Sequence, residues 1–376
     1  MDTTDTTDID TVIIGAGQAG LATGYFLQRR GIPFVILDAS SRIGDNWRRQ
    51  WDSLRLYSPA HVDGLPGLPF PAERWTFPGK DAVGDYLESY VRTFALPVRL
   101  GTRVQALDPA GEGEDGYVVT TDRGRFTCRS VVVCTGTFGR TGSVPHIAAE
   151  LDPAILQLHS SEYRRPSQVN DGPVLVVGAS HSGTDIAYEL AETHPTILAG
   201  RDCGEIPPRL ESPAFRLVFP VMLFAWRHVL TRRTPVGRKE MAQVRHHGGP
   251  MIRVKRRDLV ERGVERTTSR VVEVRDGLPV VDGTPREVST VVWATGFRQV
   301  FDWIHLPVIG DDGWPQEMRG VSPDAPGLFF CGLSFQYSFS SMVLPGVGRD
   351  AAYVADRIAV RSHDLAKATS GLTTAA

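Results

Sequence analysis

Two glycine-rich segments have the spacing of a turn that binds the pyrophosphate of a dinucleotide. The first follows an apolar run and consists of Gly15, Ala16, Gly17, Gln18, Ala19 and Gly20. In such a turn the first glycine permits a tight bend, the second lets phosphates approach the backbone, and the third lets a helix pack on a strand. The helix that follows offers unpaired N–H groups and a partial positive charge. We therefore predict a phosphate-binding turn; the alternative is a tight turn without a ligand.

The second segment repeats this frame with a serine in place of the middle glycine. Its residues are Gly178, Ala179, Ser180, His181, Ser182 and Gly183. Serine is small, so close approach of a phosphate stays feasible, and its hydroxyl adds a hydrogen-bond donor. We expect the histidine of this turn to contribute only its backbone.

One residue after each turn distinguishes the two segments. Asp38 lies 38 − 15 = 23 positions after the first glycine of its turn, and Arg201 lies 201 − 178 = 23 positions after the other. A carboxylate accepts hydrogen bonds from a ribose diol and repels a 2′-phosphate, whereas arginine pairs with that phosphate. We therefore assign FAD to the first segment and NADPH to the second. The alternative is that Arg201 is a solvated charge at the end of a strand.

The surrounding sequence predicts the elements that hold these turns. A strand at 12–14, a helix at about 19–30 and a strand at 34–37 form one βαβ unit. A strand at 174–177, a helix at about 184–193 and a strand at 196–199 form another. The repeated unit predicts an α/β fold with two Rossmann-like dinucleotide-binding domains.

Further predicted elements complete the two domains. They are a helix at about 82–94, strands at about 98–107, 117–121, 131–134, 271–274 and 291–294, and a last helix at about 349–360. We assign residues 1–165 and 290–376 to a discontinuous FAD-binding domain and 166–289 to an NADPH-binding domain with a helical insert at about 205–262.

The apolar patch 215–226 in this insert has three interpretations. It lines a lipophilic substrate channel, it touches a membrane surface, or it is a helical cap packed on the core, which is the simplest. Pro220 is expected to interrupt any single helix there.

The composition is that of an ordinary globular protein. The 376 residues are 41% hydrophobic and 22% charged, with a formal net charge of −2, which gives no electrostatic reason to expect nucleic acid or an anionic membrane as a partner. The first ten residues lack the pattern of a signal peptide, and no apolar run is long enough to span a membrane. The predicted location is cytoplasmic. The oligomeric state stays open, with a homodimer as one alternative.

The sequence resembles the class B flavoprotein monooxygenase family, which includes flavin-containing monooxygenases, YUCCA-type enzymes and Baeyer–Villiger monooxygenases, and it is most similar to the small bacterial type. The resemblance covers nearly the whole chain. It rests on the two glycine turns and on matching segments at 43–47, 51–56, 65–71, 159–163, 294–297, 330–332 and 345–349.

The resemblance implies a glutathione-reductase-like pair of domains, FAD and NADPH as cofactors, and a small organic substrate. The implied reaction inserts one oxygen atom of O2 through a C4a-(hydro)peroxyflavin. Tyr57 stands where flavin-containing monooxygenases place an asparagine near the flavin C4a, so it either donates to the peroxide or walls the pocket. Further implied cofactor contacts are Ala39, Asn46, Trp47, Val104, Thr135, Gly136, Thr295, Gly296 and Gly332.

Other functions and sites stay open. An NADPH oxidase would release hydrogen peroxide, and a non-catalytic sensor would bind nucleotide without turnover. A flavin disulfide reductase needs a cysteine pair beside the flavin, and the four cysteines form no C-x-x-C pair. His159 either positions a cofactor or is a structural histidine near a domain junction. His246 and His247 lack a partner at ligand spacing, so we predict no metal site.

Overall fold

The computed structural model describes residues 6–111, 115–136 and 141–373. The strands are, in chain order, β1 (Thr6–Ile14), β2 (Phe34–Leu37), β3 (Val98–Arg99), β4 (Val104–Pro109), β5 (Tyr117–Thr121), β6 (Gly124–Val133), β7 (Thr141–Gly142), β8 (Leu156–His159), β9 (Val174–Val177), β10 (Thr196–Ala199), β11 (Glu265–Thr267), β12 (Val274–Arg275), β13 (Leu278–Val281), β14 (Thr284–Pro285), β15 (Thr290–Trp293), β16 (Phe297–Arg298) and β17 (Leu328–Phe330).

The α-helices are α1 (Gln18–Arg29), α2 (Asp45–Arg48), α3 (Lys80–Phe94), α4 (His181–Leu190), α5 (Pro213–Phe224), α6 (Pro235–His246), α7 (Arg256–Glu261) and α8 (Leu344–Thr373). Short 3-10 turns lie at Ala60–Val62, His146–Glu150, Pro166–Gln168 and Phe339–Met342, and a π turn at Ala225–Val229 continues α5. Within the described residues, no helix is both long and apolar enough to cross a bilayer.

The first sheet has the strand order β3-β2-β1-β6-β5-β4, and β17 also pairs with β6. The strands β1, β2, β3, β6 and β17 are parallel, whereas β4 and β5 add antiparallel pairs at one edge. One face packs on α1, α3 and α8, and the other on side chains from β4, β5 and the segment 301–333. Because both faces of this sheet are buried, every residue of β2 is apolar.

The second sheet has the order β11-β10-β9-β15-β8, and all of its strands are parallel. It draws β8 and β15 from outside 166–289, the range that the sequence predicts for this domain. Buried side chains cover both faces. One mainly parallel and one fully parallel sheet, packed with helices, confirm the predicted α/β fold class.

The predicted elements agree best where the sequence is most regular. The strands β2, β5, β9 and β10 have the predicted bounds. Differences occur at helix ends: α4 begins at His181 inside the glycine turn, three residues before the predicted start. The last helix runs from Leu344 to Thr373 and is much longer than predicted.

The prediction that Pro220 interrupts the helix of the insert is wrong. The helix α5 runs from Pro213 to Phe224 through Pro220. Ser212 caps its first turn by accepting a hydrogen bond from the Phe215 N–H, and the buried side of the helix packs on an aromatic cluster. Pro220 lies on the exposed side, where water can bond the carbonyl that loses its partner.

Candidate active site

The first glycine turn combines a close-packed frame with an open helix end. A Cβ on Gly15 (φ 110°) would lie 2.5 Å from the Cys134 carbonyl oxygen, and one on Gly20 would lie 1.9 Å from the Gly15 oxygen. At Gly17, the N-cap of α1, a Cβ would have no described atom within 4 Å apart from its chain neighbours. The frame therefore brings the backbone N–H groups of α1 to a space that a phosphate can enter.

Asp38 lies beside this turn, as the spacing predicted. Its Oδ2 accepts a hydrogen bond from the Ala16 N–H at 2.7 Å, and its Oδ1 accepts one from the Ser40 N–H at 2.8 Å. On the other side, a Cβ on Gly332 (φ 87°) would lie 2.7 Å from the Ala19 Cβ. The carboxylate and the close Gly332 backbone thus border one turn, although they come from distant parts of the chain.

The structure places the remaining predicted flavin contacts around the first domain. Trp47 is half-buried on α2 and packs against the cores of both domains, whereas Asn46 is exposed on the same short helix. Gln18 donates through its side chain to the Met342 carbonyl at 3.2 Å. The others are partly buried and lie after β2, at the start of β4 and after β6; they are Ala39, Val104, Thr135 and Gly136.

A cleft of about 390 Å³ lies between three segments that the sequence could not place together. Its walls include Val62 and Pro66 of the loop after α2, Arg227 and His228 of the insert, and Arg349 of α8. The loops approach closely, because a Cβ on Gly348 would lie 2.8 Å from Pro66. The segments 65–71 and 345–349, which both match the family in sequence, therefore meet at one cleft.

The second glycine turn has the same packing as the first. A Cβ on Gly178 (φ 111°) would lie 2.2 Å from the Ala294 carbonyl oxygen, and one on Gly183 would lie 1.7 Å from the Gly178 oxygen. Ala179 is buried and Ser182 is half-buried beside them.

The insert covers the middle of this second turn. The Ser180 hydroxyl donates to the Gly249 carbonyl at 2.9 Å, so it is already engaged. A Cβ on Gly248 would lie 2.5 Å from the Ser180 Cβ, and one on Gly249 would lie 2.6 Å from the His181 ring. Because no side chain fits at these two glycines, the insert backbone itself forms part of the turn's surroundings.

His181 has an unusual environment for a residue in a phosphate turn. Burial lowers the pKa of its imidazole to about 4, so the ring is neutral near pH 7. Its Nε2 is enclosed and has no hydrogen-bond partner within the described residues. Its ring lies 5.4 Å from that of Tyr57. An enclosed nitrogen of this kind suits a site whose bound ligand supplies a partner.

Arg201 lies just after the end of β10, as predicted, with an exposed side chain. It forms no ion pair with any residue that the structure describes. Sequence reasoning missed its neighbour Arg266, which donates to the Gly200 carbonyl at 2.7 Å and whose pKa is lowered by burial. Arg266 lies on β11, a strand that the sequence pattern does not predict, so no spacing argument could find it.

Tyr57 takes part in a largely buried three-residue cluster that sequence reasoning also missed. Its hydroxyl donates to Asp185 Oδ2 at 3.0 Å, and Arg253 donates to the same oxygen at 2.9 Å. Burial, with a contribution from the Asp185 charge, raises the pKa of Tyr57 well above its usual value. Burial also raises the pKa of Asp185, against the opposing effect of Arg253.

This cluster connects three parts of the chain. Tyr57 belongs to the loop after α2, Asp185 to α4 of the second domain, and Arg253 to the insert. One turn further along α4, Glu189 accepts from Ser53 at 3.1 Å. Since a phenol has one proton and Tyr57 directs it at Asp185, the geometry favours the alternative in which the ring walls a pocket. The neighbouring aromatic side chains are Trp75, Phe77, Phe215, Phe219 and Trp226.

His159 fits the structural alternative. Both ring nitrogens are engaged, Nδ1 with Ser161 at 2.8 Å and Nε2 with the Gly296 carbonyl at 2.9 Å. Burial lowers the pKa of the ring. The neighbouring Thr295 hydroxyl donates to the Ser143 carbonyl, and β16 pairs with β7. The histidine therefore stabilises, through these hydrogen bonds, the segment in which the chain passes between the two domains.

Two cysteines that are distant in sequence lie side by side. Cys134 follows β6 and Cys331 follows β17, and these strands pair in parallel, so the two thiols interact. Both are buried and free, and burial raises the pKa of Cys134. A buried thiol with a raised pKa is a poor nucleophile, so this pair does not support the disulfide reductase alternative. Within the described residues, no cluster of three or more potential metal ligands occurs.

Comparisons with known proteins show the family to which this chain belongs. Residues 12–204 match the pyridine nucleotide-disulphide oxidoreductase family. An uncharacterized CzcO-like oxidoreductase from Geobacillus kaustophilus is 34% identical, over 93% of this chain and 98% of its own length. The indole-3-pyruvate monooxygenase YUCCA1 of rice is 30% identical, over 78% of each chain. This chain belongs to the class B flavoprotein monooxygenase family.

A solved structure agrees with this membership. A variant of a flavin monooxygenase from Stenotrophomonas maltophilia superposes with a TM-score of 0.74 at 28% identity, covering 95% of this chain and 99% of that one. The family membership confirms the predicted class of enzyme, a flavin-dependent oxidoreductase of the monooxygenase type, and the prediction of FAD and NADPH as its cofactors.

Proposed function

We propose that this protein consumes NADPH and transfers one oxygen atom of O2 to a small organic substrate, by way of the oxygenated flavin predicted from the sequence. The observation that carries the proposal is the pair of glycine turns with the same packing at their first and last glycines, followed by Asp38 in one domain and by the exposed Arg201 in the other. Opposite charges at matching positions suit two different dinucleotides.

We assign FAD to the first turn. The open space beside Gly17 admits the pyrophosphate to the N-terminus of α1, and Asp38 can accept from a ribose hydroxyl. FAD supplies the reactive chemistry when it is bound, and the chain supplies orientation and exclusion of water.

We assign NADPH to the second turn, with Arg201 pairing with the 2′-phosphate. Gly178 and Gly183 set the backbone, and the enclosed Nε2 of His181 accepts a hydrogen bond from the bound nucleotide or its water. Arg266 holds the end of β10 through the Gly200 carbonyl, which fixes the backbone that carries Arg201.

We place the substrate in the cleft between the loop after α2, the insert and α8. Its volume of about 390 Å³ suits a small molecule. The aromatic residues around Tyr57 exclude water from the adjacent interior, and Asp185 with Arg253 keeps the Tyr57 ring in one orientation.

The test is turnover of the purified protein with FAD. We expect a yellow protein that oxidises NADPH with O2 in the presence of a sulfide, amine, ketone or 2-oxo acid, with product mass increased by one oxygen for a sulfide, amine or ketone. A 2-oxo acid would also release carbon dioxide, which is measured as a second product. A protein that stays colourless after reconstitution with FAD contradicts the proposal.

One observation favours the NADPH oxidase alternative and defines a second measurement. The Tyr57 proton is directed at Asp185 and so is not donated into the cleft. We therefore expect Tyr57→Phe to leave the ratio of product to consumed NADPH unchanged within about twofold. A large shift toward hydrogen peroxide in this variant would assign Tyr57 a direct role, and peroxide as the sole product of the wild type would favour the oxidase.

A further inference from the structure

The helix α5 of the insert has two apolar faces. Phe215, Phe219 and Leu223 are 1%, 1% and 8% exposed, and they pack in the aromatic cluster beside Tyr57. This face confirms the interpretation of α5 as a helical cap. The opposite face carries Leu217, Val221 and Phe224, which are 79%, 68% and 60% exposed. We call these three residues the exposed stripe.

The exposed stripe follows helical periodicity, with steps of four and three residues. Scattered apolar side chains are normal on protein surfaces, whereas a continuous stripe marks an interaction site. Val218 and Val229, which are 40% and 41% exposed, extend it on either side. The proposed catalytic site does not use this face, because the buried face of α5 already covers the aromatic cluster.

The charge of the insert indicates what the stripe contacts. Residues 205–262 contain thirteen Lys and Arg against five Asp and Glu, a net charge of 13 − 5 = +8, although the whole chain carries −2. Four acidic residues outside this range pair with arginines of the insert and leave 8 − 4 = +4; they are Asp185, Glu192, Asp202 and Glu317. Several of these basic residues are exposed and form no ion pair with described residues; they are Arg216, Arg233, Arg238 and Lys239. Glu211 and Glu240 are the acidic residues between 211 and 240. An apolar stripe with an excess of basic neighbours fits a negatively charged apolar partner.

We propose that the exposed stripe docks this enzyme on an anionic lipid surface, with α5 lying in the plane of the headgroups. Leu217, Val221 and Phe224 then enter the boundary between the headgroups and the acyl chains, and the flanking basic residues contact lipid phosphates. A second copy of the chain fits this face less well, because a two-fold contact would bring two strongly basic inserts together.

The docked orientation has a consequence for the cleft. His228 borders the cleft of about 390 Å³, and its ring also lies 4.9 Å from that of Phe224. The cleft therefore opens next to the docking face, and a substrate dissolved in the bilayer would meet it there.

The experiment is sedimentation of the FAD-loaded protein with vesicles. One set contains equal parts of phosphatidylcholine and phosphatidylglycerol, and the other contains phosphatidylcholine alone. We expect the wild type to sediment with the anionic set and to be released as salt is raised. The double variant Leu217→Ser, Phe224→Ser should bind at least about tenfold more weakly. Val260→Ser is the matched control, since Val260 is 72% exposed on α7, outside the stripe.

Thermal unfolding and bound FAD verify that each variant is folded. The proposal is overturned if the double variant binds the anionic vesicles as strongly as the wild type does. It is also overturned if the wild type does not sediment with the anionic vesicles. Sedimentation velocity without lipid provides the remaining outcome: a dimer that the stripe variant abolishes, with no vesicle binding, assigns this face to a second copy instead.

Discussion

The two glycine turns have the same backbone frame and different surroundings. Gly15 and Gly178 have φ values of 110° and 111°, and each would clash with the carbonyl at the end of a neighbouring strand if it carried a Cβ. At the middle position the turns differ: Gly17 faces open space, whereas Ser180 donates to Gly249 of the insert. The frame is thus fixed by helix–strand packing, and the choice of ligand is left to residues around it.

This comparison separates two reasons for glycine within one motif. At Gly20 and Gly183 a Cβ would overlap the backbone of the same turn, so glycine is needed for folding. At Gly17 a Cβ would meet none of the described residues except its chain neighbours, so glycine is needed only if a ligand approaches.

The largest expected effect follows from that separation. Gly20→Ala places a Cβ 1.9 Å from the Gly15 oxygen, so α1 must shift. We expect a loss of at least about 3 kcal/mol in the free energy of unfolding. Gly17→Ala is the matched control, because its φ of −78° accommodates alanine, and its stability should change by less than about 0.5 kcal/mol.

Urea unfolding measures both stabilities, and visible absorbance measures bound FAD. Gly17→Ala should remain folded and lose FAD affinity, since the new methyl group occupies the space open to phosphate. Full FAD occupancy in Gly17→Ala would remove the first turn as the flavin site.

The next effect tests the opposite charges at the two strand ends. Arg201→Ala should lower kcat/KM for NADPH by about 10- to 100-fold, which corresponds to the loss of charge-assisted hydrogen bonds of about 1.5–3 kcal/mol. The kcat/KM for NADH should be nearly unchanged, because NADH has no 2′-phosphate. Arg257→Ala is the control, since Arg257 is exposed on α7 and pairs with Glu261. An unchanged ratio of NADPH to NADH activity would make Arg201 the solvated charge of the alternative interpretation.

The parts of this molecule that the sequence predicts are local ones. The bounds of β2 and β9 could be predicted because a buried parallel strand is a short apolar run that ends at a turn signal. Asp38 and Arg201 could be placed because a βαβ unit has a nearly constant length. In each case the information lies within about 25 residues of sequence.

The parts that could not be predicted depend on contacts between distant segments. Tyr57 and Asp185 are 128 residues apart, and their hydrogen bond exists because α4 packs against the loop after α2. Cys134 and Cys331 meet only because β17 returns to β6. The expectation of a helix break at Pro220 was wrong for the same reason, since tertiary packing of α5 outweighs the local cost of proline.

The smallest effect concerns the fourth position of each turn, where Gln18 in the first corresponds to His181 in the second. The pKa of His181 is lowered to about 4 from an ordinary value of 6.5, so the unfolded chain binds a proton between these values and the folded protein does not. Stability conferred by the neutral ring is therefore complete above about pH 6.5 and declines as the pH falls toward 4.

We expect the wild type to lose about 1–2 kcal/mol of unfolding free energy between about pH 7 and pH 5 through this residue, a range that allows for partial exposure of the ring. His181→Gln, which gives the second turn the side chain of the first, should remove that part of the pH dependence. Urea unfolding of both proteins across this range measures the difference, with His194→Gln, in the turn between α4 and β10, as the control. Identical pH profiles for wild type and His181→Gln would mean that the ring is solvated, and that the insert does not close over the second turn as it does in this structure.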